Sequence, residues 1–227
     1  MNLDDVPGWF WAPDQIAFST LLEAQRNLAI GGDVLEMGAY LGKSAIHLAR
    51  HLSPGEQLIV CDVFESPIGD GETAFENQVT YPSLTRSAFE RNFLAFHPAL
   101  PRIIQAPTQT LTDQVPDASC RFVHIDASHL YPNVRTDIET ARELLGPDGL
   151  VVIDDLHSSH APGVAAATWE AFFNGGLKAI CLTDMKFYGC WGDVQVWQDR
   201  LWNTFAAHPD LYCEYKEIDG QKVIRVC

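Results

Sequence analysis

Apolar positions along the chain follow two alternating periods. Runs of strand length stand at Val34 to Met37, Leu58 to Cys61, Arg102 to Gln105, Arg121 to Ile125 and Leu150 to Ile153. Between them lie segments with one apolar face at helical spacing. Ile16, Leu21, Leu22 and Leu28 follow a Pro13-Asp14 start signal, and Ala45, Ile46, Ala49 and Leu52 follow the first strand. Further helices are predicted over Tyr81 to Phe96, on the face Val134, Ile138, Ala141 and Leu145, and on Val164, Thr168 and Phe172. Gly31-Gly32, Ser53-Pro54-Gly55, Gly146-Pro147 and Gly175-Gly176 punctuate the pattern. Beyond the last break, Ala179 to Thr183 and Asp193 to Trp197 predict a closing hairpin or two edge strands, and the C-terminal stretch mixes helix and strand signals. The polar segment 63 to 81 is expected to form a lid loop, and the first helix to pack over the ligand side.

Strands and helices in strict alternation predict an α/β fold. It would be a Rossmann-like, doubly wound, mostly parallel sheet in a three-layer α/β/α arrangement, with one domain over residues 1 to 227. Ligands of such sheets bind beyond the carboxyl ends of the strands. Four predicted strands run out into acids: Glu36, Asp62, Asp126 and the pair Asp154-Asp155.

The first of these exits is the most specific. In D-V-L-E-M-G-A-Y-L-G-K-S, Glu36, Gly38 and Gly42 stand as E-x-G-x-x-x-G ahead of a helix N-terminus. The spacing departs from the G-x-G-x-x-G of dinucleotide sites and favours S-adenosylmethionine over NAD. Glu36, Gly38, Tyr40, Gly42 and Ser44 are the candidate cofactor residues of this turn, and Asp62 is the expected partner of the ribose diol.

Charge narrows the partner. Thirty acids against 15 bases give a net charge of −15, which repels nucleic acid. No apolar run reaches the ~20 residues needed to span a bilayer, and no basic segment followed by an apolar core opens the chain. A soluble, cytoplasmic protein is expected, with a homodimer as one option. Six scattered cysteines without a C-x-x-C pair read as idle thiols rather than a zinc site.

Asp126, Asp154 and Asp155 at neighbouring strand ends would repel one another unless a cation or protons intervened. Hard oxygen ligands suit Mg²⁺ or another divalent ion that would hold a substrate hydroxyl. His129, three residues past Asp126, is the leading general base, with Asp126 beside it as a catalytic group. His157 and His160 also follow a strand exit, and His124 reads as a satisfied core residue. Aromatics such as Trp9, Phe10, Trp11, Tyr81, Phe187, Tyr188 and Trp191 could line an acceptor pocket or fill core.

These motifs together resemble the class I S-adenosylmethionine-dependent methyltransferases. F-V-H-I-D-A-S-H-L-Y-P-N-V-R-T-D-I and L-L-G-P-D-G-L-V-V-I-D-D-L are similar to the branch with macrocin-type sugar O-methyltransferases and, more distantly, the catechol O-methyltransferases. The resemblance spans roughly residues 30 to 175. It implies Asp126, Asp154 and Asp155 as metal ligands, His129 as base, and Thr108 and Gln109 in A-P-T-Q as adenine neighbours. The implied activity is O-methylation of a hydroxyl on a small molecule, a sugar or natural product. A non-catalytic S-adenosylmethionine-binding partner protein, an accessory component of an oxygenase and an NAD-dependent oxidoreductase are the alternatives. Three departures stand out: Ser128 where relatives carry a second acid, Asp155 where the catechol enzymes have Asn, and no lysine beside Asp126.

Overall fold

The computed structural model describes residues 2 to 66 and 84 to 227. Tyr81 and most of the expected lid lie outside the described residues. Nine strands form one sheet in the order β3-β2-β1-β4-β5-β7-β6-β9-β8. β1 (Asp33–Met37), β2 (Leu58–Cys61), β3 (Arg102–Ile104), β4 (Cys120–Ile125) and β5 (Leu145–Ile153) run parallel, as the alternating pattern requires. β6 (Lys178–Leu182) and β7 (Phe187–Cys190) form a hairpin whose second strand inserts antiparallel beside β5. β8 (Cys213–Ile218) and β9 (Gln221–Val226) extend the far edge.

Side-chain alternation along the strands builds two apolar layers. On one face, Val34, Val60, Phe122 and Val152 pack against α1 (Ala12–Asn27), α2 (Lys43–Ala49), α3 (Arg86–Leu94) and α6 (Gln195–Ala206). On the other, Leu35, Ile59, Val123 and Val151 pack against α4 (Tyr131–Leu144) and α5 (Pro162–Asn174). The expected three-layer, doubly wound architecture is therefore present.

Three expectations change. Asp193 to Trp197 is not a strand: Val194 and Val196 alternate, but Trp197, Leu201 and Phe205 recur at helical spacing and are buried, so the segment enters α6. The strand that pairs with β6 is Phe187–Cys190 instead. α1 packs on the sheet face through Ala17, Phe18 and Leu21, and only the residues preceding it reach the ligand end.

The turn after β1 shows why its glycines are required. Gly38 has φ +80°, and a Cβ there would stand 2.0 Å from the Asp126 carbonyl oxygen, so the β1 and β4 exits can meet only at glycine. Gly42, at φ +92°, caps α2, with the Phe89 ring 3.0 Å from where its Cβ would be.

Candidate active site

A cavity of about 410 Å³ opens over the carboxyl ends of the parallel strands. One wall is the β1 turn with Gly38 and Tyr40, then Asp62, Thr108 and Gln109. The opposite wall carries Asp126, Asp154, Asp155 and His160.

On the first wall, Asp62 Oδ2 accepts from the backbone N–H groups of Ala39 (2.7 Å) and Tyr40 (3.2 Å), and Oδ1 from that of Phe64 (2.6 Å). Burial pushes this carboxyl up, and the three donors oppose the shift. The acid after β2 thus fixes the shape of the turn while facing the cavity. Thr108 opens a 3-10 segment, Thr108–Asp113, and its hydroxyl donates to Asp137 Oδ1 at 2.5 Å. Burial raises the Asp137 carboxyl to about 7.

Not every expected cofactor residue reaches the cavity. Glu36 is the penultimate residue of β1 and fully buried on the α1 face, so the side chain supports the turn from below. Gly42 and Ser44 are also absent from the cavity wall, since Gly42 turns the chain into α2 and Ser44 points back toward Glu36. Gly38, Tyr40, Asp62, Thr108, Gln109 and Asp126 do line it.

The second wall stands over a buried polar cluster. Lys186, 1% exposed, pairs through Nζ with Asp154 Oδ2 and lies 3.1 Å from His124 Nε2. An ammonium only donates, so His124 Nε2 is the acceptor and its proton sits on Nδ1, donated to Glu36 Oε1 at 3.0 Å. Burial holds His124 well below its ordinary pKa, hence neutral, and raises Glu36 to about 8, hence protonated at neutral pH. Burial disfavours a charged Lys186, but Asp154, Asp126 and Asp14 outweigh it and hold the ammonium above its ordinary range. Asp126 is pushed well up by burial and then by Asp154. Asp14 stands in the first turn of α1, as its helix-start signal predicts, and is also buried, with Oδ1 accepting from Thr183 (2.8 Å) and Tyr188 (2.7 Å).

Above this cluster, His129 Nε2 lies 2.9 Å from Asp155 Oδ2, and Ser158 donates to Asp155 Oδ1 at 2.6 Å. Burial raises the Asp155 carboxyl, yet these two bonds prevail and lower it, so it is ionised. Asp155 sits at φ +59°, a left-handed conformation that aspartate tolerates and that turns its carboxylate toward His129. His129 does not line the main cavity but stands in a small recess beside it, shared with Asp126, Asp154 and Asp155. His160 lines the main cavity, its ring edge-on to His129 at 5.4 Å, whereas His157 turns away to the Asp184 carbonyl.

The three carboxylates expected to share a metal are divided between two groups of possible ligands. His124, Asp126 and Asp154 form one, and His129, Asp155 and His160 the other. Lys186 was missed in the sequence. Its signal was a lone lysine at the mouth of the apolar run F-Y-G-C.

The aromatics separate cleanly. Phe10, Phe187 and Tyr188 are core, while Trp9 and Trp11 rim the cavity at 59% and 53% exposure, Trp9 stacked on Tyr40 at 5.5 Å.

The family model described as "Methyltransferase domain" matches residues 35–156, more than half of the chain. The chain belongs to this methyltransferase family. That agrees with the class I S-adenosylmethionine-dependent resemblance carried by its motifs. The uncharacterised protein y4gI of Sinorhizobium fredii is 22% identical over 122 residues, which are 54% of this chain and 13% of that protein. This methyltransferase chain therefore spans only a small part of the curated relative it matches. Among solved structures, the O-methyltransferase NovP superposes with a TM-score of 0.62 at 16% identity, over 80% of each chain. CalS11, a TDP-rhamnose 3'-O-methyltransferase of calicheamicin biosynthesis, gives 0.52 at 16%, over 84% of this chain and 85% of that one. A caffeoyl-CoA O-methyltransferase assignment from Staphylococcus aureus gives 0.55 at 16%, over 82% and 86%. These likenesses establish the fold. Among the described residues, no helix is long and apolar enough to cross a membrane.

Proposed function

We propose that the chain transfers a methyl group from S-adenosylmethionine to a hydroxyl of a small molecule with a flat or ring-shaped face. The observation that carries this reading is one cavity lined by both the Gly38 turn and Asp155, whose Oδ2 lies 2.9 Å from His129 Nε2. The turn fits the cofactor: Gly38 and Tyr40 line the cavity, and Asp62, Thr108 and Gln109 offer polar groups along the same wall. The surplus of acids around the cavity favours a cationic ligand such as a sulfonium. When bound, S-adenosylmethionine supplies an activated methyl group that needs little from the protein beyond alignment.

The chain's own residues then have three tasks. Asp155, ionised, accepts from His129 Nε2 at 2.9 Å and fixes the orientation of the ring, and the imidazole is the group assigned to take the hydroxyl proton. Asp155 also stabilises the imidazolium that results. Trp11 offers a stacking face at the cavity mouth, suited to a sugar or aromatic ring and consistent with the sugar hydroxyl named for CalS11. The divalent ion expected at Asp126, Asp154 and Asp155 does not fit the side chains as they stand, because Lys186 occupies Asp154.

Calorimetric titration with S-adenosylhomocysteine and with NAD, followed by a methyl-transfer screen of sugar and phenolic hydroxyls, tests the proposal. We expect the nucleoside thioether to bind and NAD not to. His129→Gln should lower kcat by ~10²–10⁴-fold with S-adenosylhomocysteine affinity unchanged. Absence of S-adenosylhomocysteine binding overturns the reading.

A further inference from the structure

We propose that Lys186 is the built-in cation of this site, standing where a divalent ion would need to bind Asp154, so that the chain works without a metal. The inference rests on the methyltransferase reading for its functional meaning, but its structural content is independent of the acceptor. His124, Asp126 and Asp154 offer ligand atoms within 4.8 Å of one another, the arrangement that would collect a cation. The Lys186 ammonium is what that group faces: Nζ pairs with Asp154 Oδ2 and lies 3.1 Å from the lone pair of His124 Nε2. A divalent ion on Asp154 would have to share the carboxylate with this ammonium at a few ångströms, in a site screened little by water.

The lysine is also held from behind. Its backbone N–H donates to Thr183 Oγ1 at 2.9 Å and its carbonyl accepts from the Thr183 N–H at 3.0 Å, which closes a tight turn between β6 and β7. The neighbouring Met185 carbonyl accepts from the Leu156 N–H at 2.8 Å, tying that turn to the β5 exit. The Phe10 ring centroid lies 5.9 Å from Nζ and closes the inner side. The side chain is fully buried, so it cannot withdraw into solvent to admit an ion.

Fixing Asp154 has a consequence for catalysis. Asp154 Oδ1 accepts from the Asp155 N–H at 2.8 Å, and Asp155 in turn holds His129. Lys186 therefore acts as a positioning residue: the charge anchors Asp154, Asp154 sets the Asp155 backbone, and Asp155 sets the base. That orientation comes from a lysine brought by the hairpin.

Mg²⁺ and Mn²⁺ are titrated calorimetrically into metal-stripped protein saturated with S-adenosylhomocysteine. Wild type should show no stoichiometric site. Lys186→Met, checked for fold by its own S-adenosylhomocysteine binding, should gain one site that Lys186→Met/Asp154→Asn loses again. One ion bound by wild type with Kd below about 1 mM, through Asp154 or through the His129, Asp155 and His160 group, overturns the proposal. A folded Lys186→Met protein that gains no site overturns it too. Wild type alone decides the question if the variant does not fold. Loss of S-adenosylhomocysteine binding by wild type would instead count against the methyltransferase reading, so the two failures are distinct.

Discussion

Among the described residues, two cations, Arg121 and Lys186, are buried at opposite ends of the same strand, and they are built on different terms. Arg121, at the start of β4, is 1% exposed and fully matched. Nε and Nη2 make a fork onto Glu56 at 2.9 Å each, Nη1 donates to Gln25, and Nη2 also reaches the His51 carbonyl. Lys186, beyond the exit of β4, is equally buried but faces Asp14, Asp126 and Asp154 with one charge. One end is balanced and closes the sheet. The other carries a surplus of carboxylates and opens into the cavity. A buried ion pair alone therefore says little about function; an unbalanced one beside a cavity says where charge from a ligand or substrate is to be received.

The largest effect should come at the balanced end. Arg121→Met strands the Glu56 carboxylate, the Gln25 amide oxygen and the His51 carbonyl together. Breaking a buried pair by removing one partner costs about 3–5 kcal/mol, and the lower end applies because Glu56 lies near the surface and can turn to water. Urea unfolding should show a loss of about 3 kcal/mol, with S-adenosylhomocysteine affinity unchanged in the folded fraction. A loss under about 1 kcal/mol would mean that the two ends do not differ as described.

A middle-sized effect, and a pH-dependent one, is expected from Glu36. Its carboxyl is neutral in the folded protein up to about 8, whereas an unfolded glutamate ionises near its ordinary value of 4.5. The folded pKa is raised, so the stability it contributes is complete below about 4.5 and is lost as pH rises toward about 8. Glu36→Gln keeps the oxygen that accepts from His124 Nδ1 and has no proton to lose. Stability measured by urea at pH 5 should be similar for the two proteins. By pH 8 wild type should fall below the variant by on the order of 1–3 kcal/mol. Parallel pH profiles would show that Glu36 is charged in the fold.

How much of this the sequence announced depends on chain distance. The Gly38 turn and the acidic exits at Asp62, Asp126 and Asp154-Asp155 were legible because each is a short, contiguous signal attached to a strand. The parallel, doubly wound arrangement up to β5 followed from the same alternation. Gly38, Tyr40, Asp62, Thr108, Gln109 and Asp126 all reach the cavity, and the His129–Asp155 pair joins two adjacent exits. What stayed hidden was the cluster beneath. Lys186 and His124 are 62 positions apart, and Asp14 and Tyr188 are 174 apart. Only the insertion of β7 beside β5 brings them together, and the Asp193 to Trp197 alternation drew that hairpin to the wrong residues. Glu36 was read as a cofactor contact for the related reason that a strand's register, which sends its side chain to the α1 face, is not visible in one motif.

The smallest effect should fall at the unbalanced end. Asp14 is one of three acids acting on Lys186, and its Oδ1 alone accepts from both Thr183 and Tyr188. Asparagine at this position retains that oxygen and removes one charge from a cluster that holds more carboxylates than it needs. Burial raises the Asp14 carboxyl, so ionising it costs the fold stability as pH rises, and removing the ionisation relieves that cost. Asp14→Asn should therefore alter stability at pH 7 by no more than about 1 kcal/mol, with S-adenosylhomocysteine binding intact. The contrast with Arg121→Met is then a matter of charge balance rather than burial, since both sites are equally removed from water. A loss from Asp14→Asn as large as that from Arg121→Met would show that Lys186 needs every one of its acids, and that the surplus at this end is only apparent.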